Sequence, residues 1–158
     1  MEQPSQNASF WILESEKVTS SEIEQLNELL WQLSPDKGKK QTDPIKMQNC
    51  LQTGCIAVTI VSGMIVGMAQ LATYDHVADG IVGMLHCVVV DKNHQGKGYA
   101  KRMLTALHAE AKSLRIKIID LTSSPEKITA HKLYLSAGYE HRETENYRKV
   151  IVRVSATS

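Results

Sequence analysis

The stretch Val88-Val-Val-Asp-Lys-Asn-His-Gln95-Gly-Lys-Gly-Tyr-Ala100-Lys-Arg102 decides how the rest of the chain is read. It begins in a nearly continuous apolar run, Ile81–Val90, as expected for a central strand covered on both faces. Two glycines follow, and from Gly98 to Ser113 the pattern is helical, with Ala100, Met103, Leu104, Leu107, Ala111 and Leu114 on one stripe. A strand, a glycine loop and a helix start in succession favour an anion. Helix N-termini expose free N–H groups and the positive end of the helix dipole. Gly96 and Gly98 let the backbone approach a bulky anion with no Cβ in the way. Lys97, Lys101 and Arg102 add positive charge. Taken alone, the loop also fits a glycine turn beside a solvated basic helix face.

Other phosphate motifs fit less well. Gly96-x-Gly98 with Asp120 at the end of the next strand approaches a dinucleotide fingerprint, but Lys101 stands at its third glycine. Too little chain follows Asp120 for the second half of a doubly wound domain. No GxxxxGK[ST] sequence occurs, which excludes a Walker loop.

Outward from this loop the elements alternate. Phe10–Ser15 reads as a strand. Thr19-Ser-Ser-Glu22 is a capping box, and Ile23, Leu26, Leu30 and Leu33 continue the helix to Ser34. Asp43-Pro44 opens a second helix that ends near Leu51. Ile56–Val61 and Ile65–Tyr74 flank the turn signal Ser62-Gly63 and predict a hairpin, followed by a polar loop, Tyr74–Gly80. Lys117–Leu121 is a short strand, Ser124 caps a further helix and Gly138 stops it. Tyr139–Arg142 and Tyr147–Val154 are read as the last strands. The order β-α-α-β-β-β-α-β-α-β-β predicts an α/β (α+β) fold with a mixed central sheet covered by helices. The unit from Ile81 to Leu121 should be a right-handed crossover between parallel strands.

Composition narrows the function classes. The 158 residues suit one domain, read as 1–158 with a loose start over 1–8. Basic and acidic residues number 18 and 17, so no basic excess favours nucleic acid. No apolar stretch approaches the roughly 20 residues that span a bilayer, so no membrane partner is expected. The opening MEQPSQNASF lacks the basic and apolar regions of a signal peptide, and Cys50, Cys55 and Cys87 have no zinc-ligand spacing. A cytoplasmic protein with free thiols and no metal is the expectation. Asp75, His76 and Asp79 are assigned to a substrate-side loop rather than to a metal.

Two motifs together carry a family resemblance. Gln95-Gly-Lys-Gly98-Tyr-Ala100 resembles the Q/R-x-x-G-x-G/A motif of the Gcn5-related N-acetyltransferase superfamily, and Ala130-His-Lys-Leu133-Tyr134-Leu-Ser-Ala-Gly138-Tyr139 resembles its A-x-x-L-Y-x-x-x-G-F signature. They stand in the family's order and at its usual separation, and the likeness to small bacterial members covers about residues 55–150. The resemblance implies a bent sheet whose two central parallel strands splay around acetyl-CoA. Val88, Val89 and Val90 would pair with the pantetheine arm, and Gln95, Gly96, Lys97, Gly98, Tyr99, Ala100 and Lys101 would hold the pyrophosphate. It also implies a small-molecule or peptide amine as acceptor, and a homodimer is common in similar proteins.

Two side chains are candidates for catalysis. Tyr134, in the second signature, is the expected general acid: a hydroxyl near pKa 10 can protonate a leaving thiolate whose pKa lies near about 8.5. His86 stands four residues before Val90. Alternation puts His86, Val88 and Val90 on one face and Cys87 on the other. Similar proteins often carry an acid at this position. A neutral imidazole can take the amine's proton there, directly or through water. Lys127 replaces an asparagine that helps fix the cofactor in many members; it is expected to face solvent, with contact to a phosphate as the alternative. No side chain reads as an obligatory covalent nucleophile. The predicted activity is acetyl-CoA-dependent N-acetylation of a primary amine; a catalytically silent acyl-CoA sensor on the same fold is the alternative.

Overall fold

The structure, a computed structural model, describes residues 7–14, 17–35 and 41–151. Among them the chain order is β1 (Ala8–Ile12), α1 (Ser20–Leu33), α2 (Pro44–Gln52), β2 (Gly54–Val61), β3 (Met64–His76), β4 (Gly80–Val90), α3 (Tyr99–Ser113), β5 (Ile119–Leu121) and α4 (Ile128–Ser136). The local signals explain most boundaries. Glu22 N–H donates to Thr19 Oγ1 at 3.2 Å and Thr19 N–H donates to Glu22 Oε2 at 2.7 Å, closing the capping box at α1. Asp43 accepts from Lys46 N–H, and Pro44 occupies the first turn of α2. Ser62 and Gly63, with φ of 51° and 79°, make the tight turn between β2 and β3.

The strands lie side by side in sequence order, β1-β2-β3-β4-β5. The first three pairings are antiparallel; β4 and β5 are parallel and joined through α3, so the sheet is mixed. Helices cover both faces. Met103, Leu104 and Leu107 of α3 are buried on Ala57, Ala69, Leu71 and Leu85. On the opposite face Leu26, Leu29 and Met47 of α1 and α2 pack on Ile56, Val58, Met68 and Val89. A Cβ on Gly67 would lie 3.0 Å from the Met103 methyl, so this glycine lets α3 sit close to the sheet.

Several expectations are corrected. The Tyr74–Gly80 loop contracts to three residues, because β3 runs on to His76, which pairs with Gly80. Ser124 does not cap α4: the segment after it makes a turn, Lys127 N–H donating to Ser124 O at 3.0 Å, and the helix starts at Ile128. Neither Tyr139–Arg142 nor the described part of Tyr147–Val154 joins a ladder, and residues 152–154 lie outside the described residues. The run from Glu140 to Asn146 has no apolar alternation to seat it on β5. Tyr139 is anchored by its side chain instead: its hydroxyl lies 2.9 Å from His108 Nε2 and its ring meets Tyr134 edge-on at 5.9 Å.

Candidate active site

A bulge in β4 and the end of the β4–β5 ladder create the site. Val89 pairs with Met68 and His86 with Gln70, so Cys87 and Val88 together oppose Ala69. Cys87 adopts φ of 51°, a left-handed conformation that is unusual for a residue with a Cβ. The bulge overturns simple alternation. Val88 and Val90 pack towards α3, whereas Cys87 and Val89 pack towards α1 and α2. His86, opposite Gln70, shares the α1–α2 face with Cys87 and does not share the face of Val88 and Val90. On the other side of β4, pairing to β5 stops at Leu85 and Leu121. From Val88 to Val90 the edge of β4 therefore has no partner among the described strands, and the two parallel strands part.

A cavity of about 510 Å3 opens on the glycine-loop side of this parting, lined by β4, the loop, the start of α3 and α4. Val88, Val89, Val90, Gln95, Gly96, Gly98, Tyr99, Ala100 and Lys101 all line it; Lys97 does not. Gly96 and Gly98 have φ of 75° and 76°, and a Cβ on either would meet nothing within 4 Å. No acceptor among the described residues takes the backbone N–H groups from Gln95 to Lys101, so they are available to an anion. The loop is tied to α1: Asp91 accepts from Gln32 Nε2 at 2.8 Å, and Lys92 N–H donates to Gln32 Oε1 at 3.0 Å. The Gln32 bond leads the interactions that hold the Asp91 carboxyl below its ordinary range. Tyr99 and Arg102 do not serve the loop with their side chains. The Tyr99 ring is buried edge-on against Phe10, and Arg102 stacks over the Phe10 ring at 4.0 Å.

A second cavity, of about 600 Å3, lies on the other side of the parting and includes His86, Cys87, Thr122, Tyr134, Asn146 and Arg148 in its lining. Val88, Lys127, Ala130 and Tyr134 line both cavities, so Tyr134 stands at their junction. Burial raises the Tyr134 hydroxyl above its ordinary pKa and lowers that of His86. At neutral pH the tyrosine keeps its proton and the histidine is an unprotonated base. Tyr139, behind Tyr134, is pushed up to about 12 by burial and by Tyr134 itself. Lys127 is exposed, as expected, and its Nζ reaches Leu33 O at 3.5 Å, bridging α4 to the end of α1.

No residue of the Tyr74–Gly80 loop, assigned above to the substrate side, lines the second cavity; Leu33, Ser34, Thr122 and the segment 146–148 do, although the sequence singled out none of them as site residues. They come from a helix end and from loops, which carry no periodic signal. Among the described residues no group of three His, Cys, Asp or Glu side chains could hold a metal, and no helix is long and apolar enough to cross a membrane.

The sequence model of the Acetyltransferase (GNAT) family matches residues 23–139. An N-acetylaspartate synthetase of Xenopus tropicalis is 34% identical over 87 residues, which are 55% of this chain and 31% of that one. This chain thus corresponds to about a third of that relative's length. An aminoglycoside acetyltransferase from an uncultured soil metagenomic sample superposes with a TM-score of 0.77 at 17% identity, covering 90% of this chain and 96% of that one. A predicted acetyltransferase with acetyl-CoA from Clostridium acetobutylicum superposes with a TM-score of 0.71 at 17% identity, again covering 90% and 96%. At such identities the likeness to these structures is one of fold.

Proposed function

The chain belongs to the acetyltransferase (GNAT) family, and from that premise we propose that it is an N-acetyltransferase moving the acetyl group of acetyl-CoA to a primary amine. The observation that carries the reading is the position of Tyr134, which lines both the glycine-loop cavity and the cavity of His86. Donor and acceptor substrates then meet at one hydroxyl. The glycine loop and the start of α3 take the pyrophosphate, and the unpaired edge of β4 takes the pantetheine arm. Among the related structures, the one with acetyl-CoA supports that donor.

Acetyl-CoA supplies an activated thioester; the chain supplies orientation and proton traffic. A backbone N–H of β4 near Val88 donates to the thioester oxygen as negative charge develops. His86, kept neutral by burial, takes a proton from the incoming ammonium, with water as carrier. Although His86 leaves the face of Val88, it still lines the acceptor cavity with Tyr134. Tyr134 protonates the departing sulfur. Burial makes it a weaker acid, but the same desolvation makes the thiolate a stronger base, so the transfer keeps its driving force. Attack is direct, within a ternary complex.

Thiol release tests the reading. Purified protein with acetyl-CoA should release free thiol only when an amine is present. Acetyl-CoA binding without amine-dependent release from any primary amine would make the protein a silent acyl-CoA sensor.

A further inference from the structure

The second cavity has a charge bias that acetyl transfer alone does not require. Its charged lining side chains are those of Lys127 and Arg148, and no carboxylate lines it among the described residues. One negative pole faces it, the C-terminal end of α1 at Leu33 and Ser34. Lys127 already reaches that end through Leu33 O. The Arg148 side chain makes no ion pair or hydrogen bond among the described residues. Thr122, Ser123, Ser124 and Asn146 complete the polar wall with neutral groups.

A substrate with several ammonium groups would meet two cations here and no carboxylate, and the one negative pole is already taken by Lys127. A carboxylate would meet the planar fork of a guanidinium, which binds it through paired, charge-assisted hydrogen bonds. We infer that the acceptor is a primary amine that also carries a carboxylate, an amino acid or close analogue, and that Arg148 holds its carboxylate. This deepens the acetyl-transfer reading and rests on it. The related proteins named for their acceptors do not decide the matter, since one is an N-acetylaspartate synthetase and another an aminoglycoside acetyltransferase. The bonds balance simply. The amine nitrogen bonds to the acetyl carbon and the carbon–sulfur bond breaks. Nitrogen gives up two protons in all: one replaces the proton that sulfur takes from Tyr134, and the other reaches solvent. The carboxylate is unchanged.

Arg148 lines the acceptor cavity and not that of the glycine loop, so its role is separable from donor binding. The test uses L-aspartate, L-glutamate, β-alanine and 4-aminobutyrate against ethanolamine, spermidine and the aminoglycoside sisomicin. Two readouts are taken: kcat/KM by thiol release, and binding of each amine to the CoA-saturated protein by calorimetry. At least one carboxylate-bearing amine should surpass every other probe in both. Arg148→Gln should lower its kcat/KM and its affinity by about 10- to 100-fold, leave acetyl-CoA affinity unchanged and cause no comparable loss with ethanolamine, which has no carboxylate to hold. If no amine is turned over but the carboxylate probe still binds in an Arg148-dependent way, the acetyl-transfer reading falls and the anion site stands. Preference for spermidine or sisomicin, absence of any carboxylate preference in binding, or loss of acetyl-CoA affinity in Arg148→Gln overturns the inference.

Discussion

Replacing Gly98 by asparagine and, separately, by aspartate distinguishes the shape of the loop from its charge. Gly98 stands at the start of α3 with φ of 76°, and a Cβ there would meet no atom of the chain within 4 Å. Asparagine and aspartate are nearly the same size, and both tolerate the left-handed region better than other residues with a Cβ. Each variant therefore carries a similar strain, about 1 kcal/mol, and should melt about 2–4 °C lower. The added carboxylate does not weaken α3, because a negative charge at a helix N-terminus is favourable. It does oppose a pyrophosphate. At about 5 Å and an effective dielectric between 40 and 80, one pair of like charges costs about 0.8–1.7 kcal/mol. A diphosphate with two charges doubles that, so affinity should fall by roughly tenfold to a few hundredfold. Calorimetric titration with acetyl-CoA, on samples first shown by thermal melting to be folded, measures the difference. Gly98→Asp should bind at least tenfold more weakly than Gly98→Asn. Equal dissociation constants for the two folded variants would refute the placement of the pyrophosphate on this loop.

Three further outcomes follow from the same geometry. Tyr134→Phe keeps the ring packed against Tyr139 and should lower kcat by about 10²-fold, with little change in acetyl-CoA affinity; single-turnover rates check this. In the pH profile of kcat/KM, the wild type should lose activity as pH falls through a value below about 6.5, because burial lowers the His86 pKa; His86→Gln should be slower and lack that limb. Thr19→Ala breaks the capping box of α1 and should cost about 1 kcal/mol, read as a melting temperature lower by about 2–4 °C with unchanged thiol release.

The parts of the fold that repeat were legible in the sequence. Of the predicted stripe, Met103, Leu104, Leu107 and Ala111 are buried as their spacing requires, whereas Ala100 is half-buried and Leu114, just past the end of the helix, is exposed. Capping residues located the start of α1 and of α2 within a residue or two. The glycine loop announced itself because glycine is the residue that adopts positive φ without strain, and both Gly96 and Gly98 do so. His86 shows where periodicity stops. A bulge adds one residue and reverses the face of everything beyond it, and nothing in Leu85-His86-Cys87-Val88 marks the extra residue. The second cavity was equally hidden. Leu33, Thr122 and Arg148 approach it from three distant stretches, and only the folded chain brings them together. The last strands failed for a related reason: the apolar content of Tyr147, Val150 and Ile151 reads as strand, yet all three are exposed.

We propose that the acetyl group passes from acetyl-CoA straight to an amine bound beside Tyr134. A single-turnover experiment with isotopically labelled acetyl-CoA, protein in excess and an accepted amine follows the label directly by mass spectrometry after rapid quenching. The label should move from acetyl-CoA to the amine nitrogen in one phase, with one thiol released per acetyl group and none of the label on the protein at any time. Label carried transiently on the protein, at Cys87 or elsewhere, or label that stays in acetyl-CoA whatever amine is added, would contradict the account.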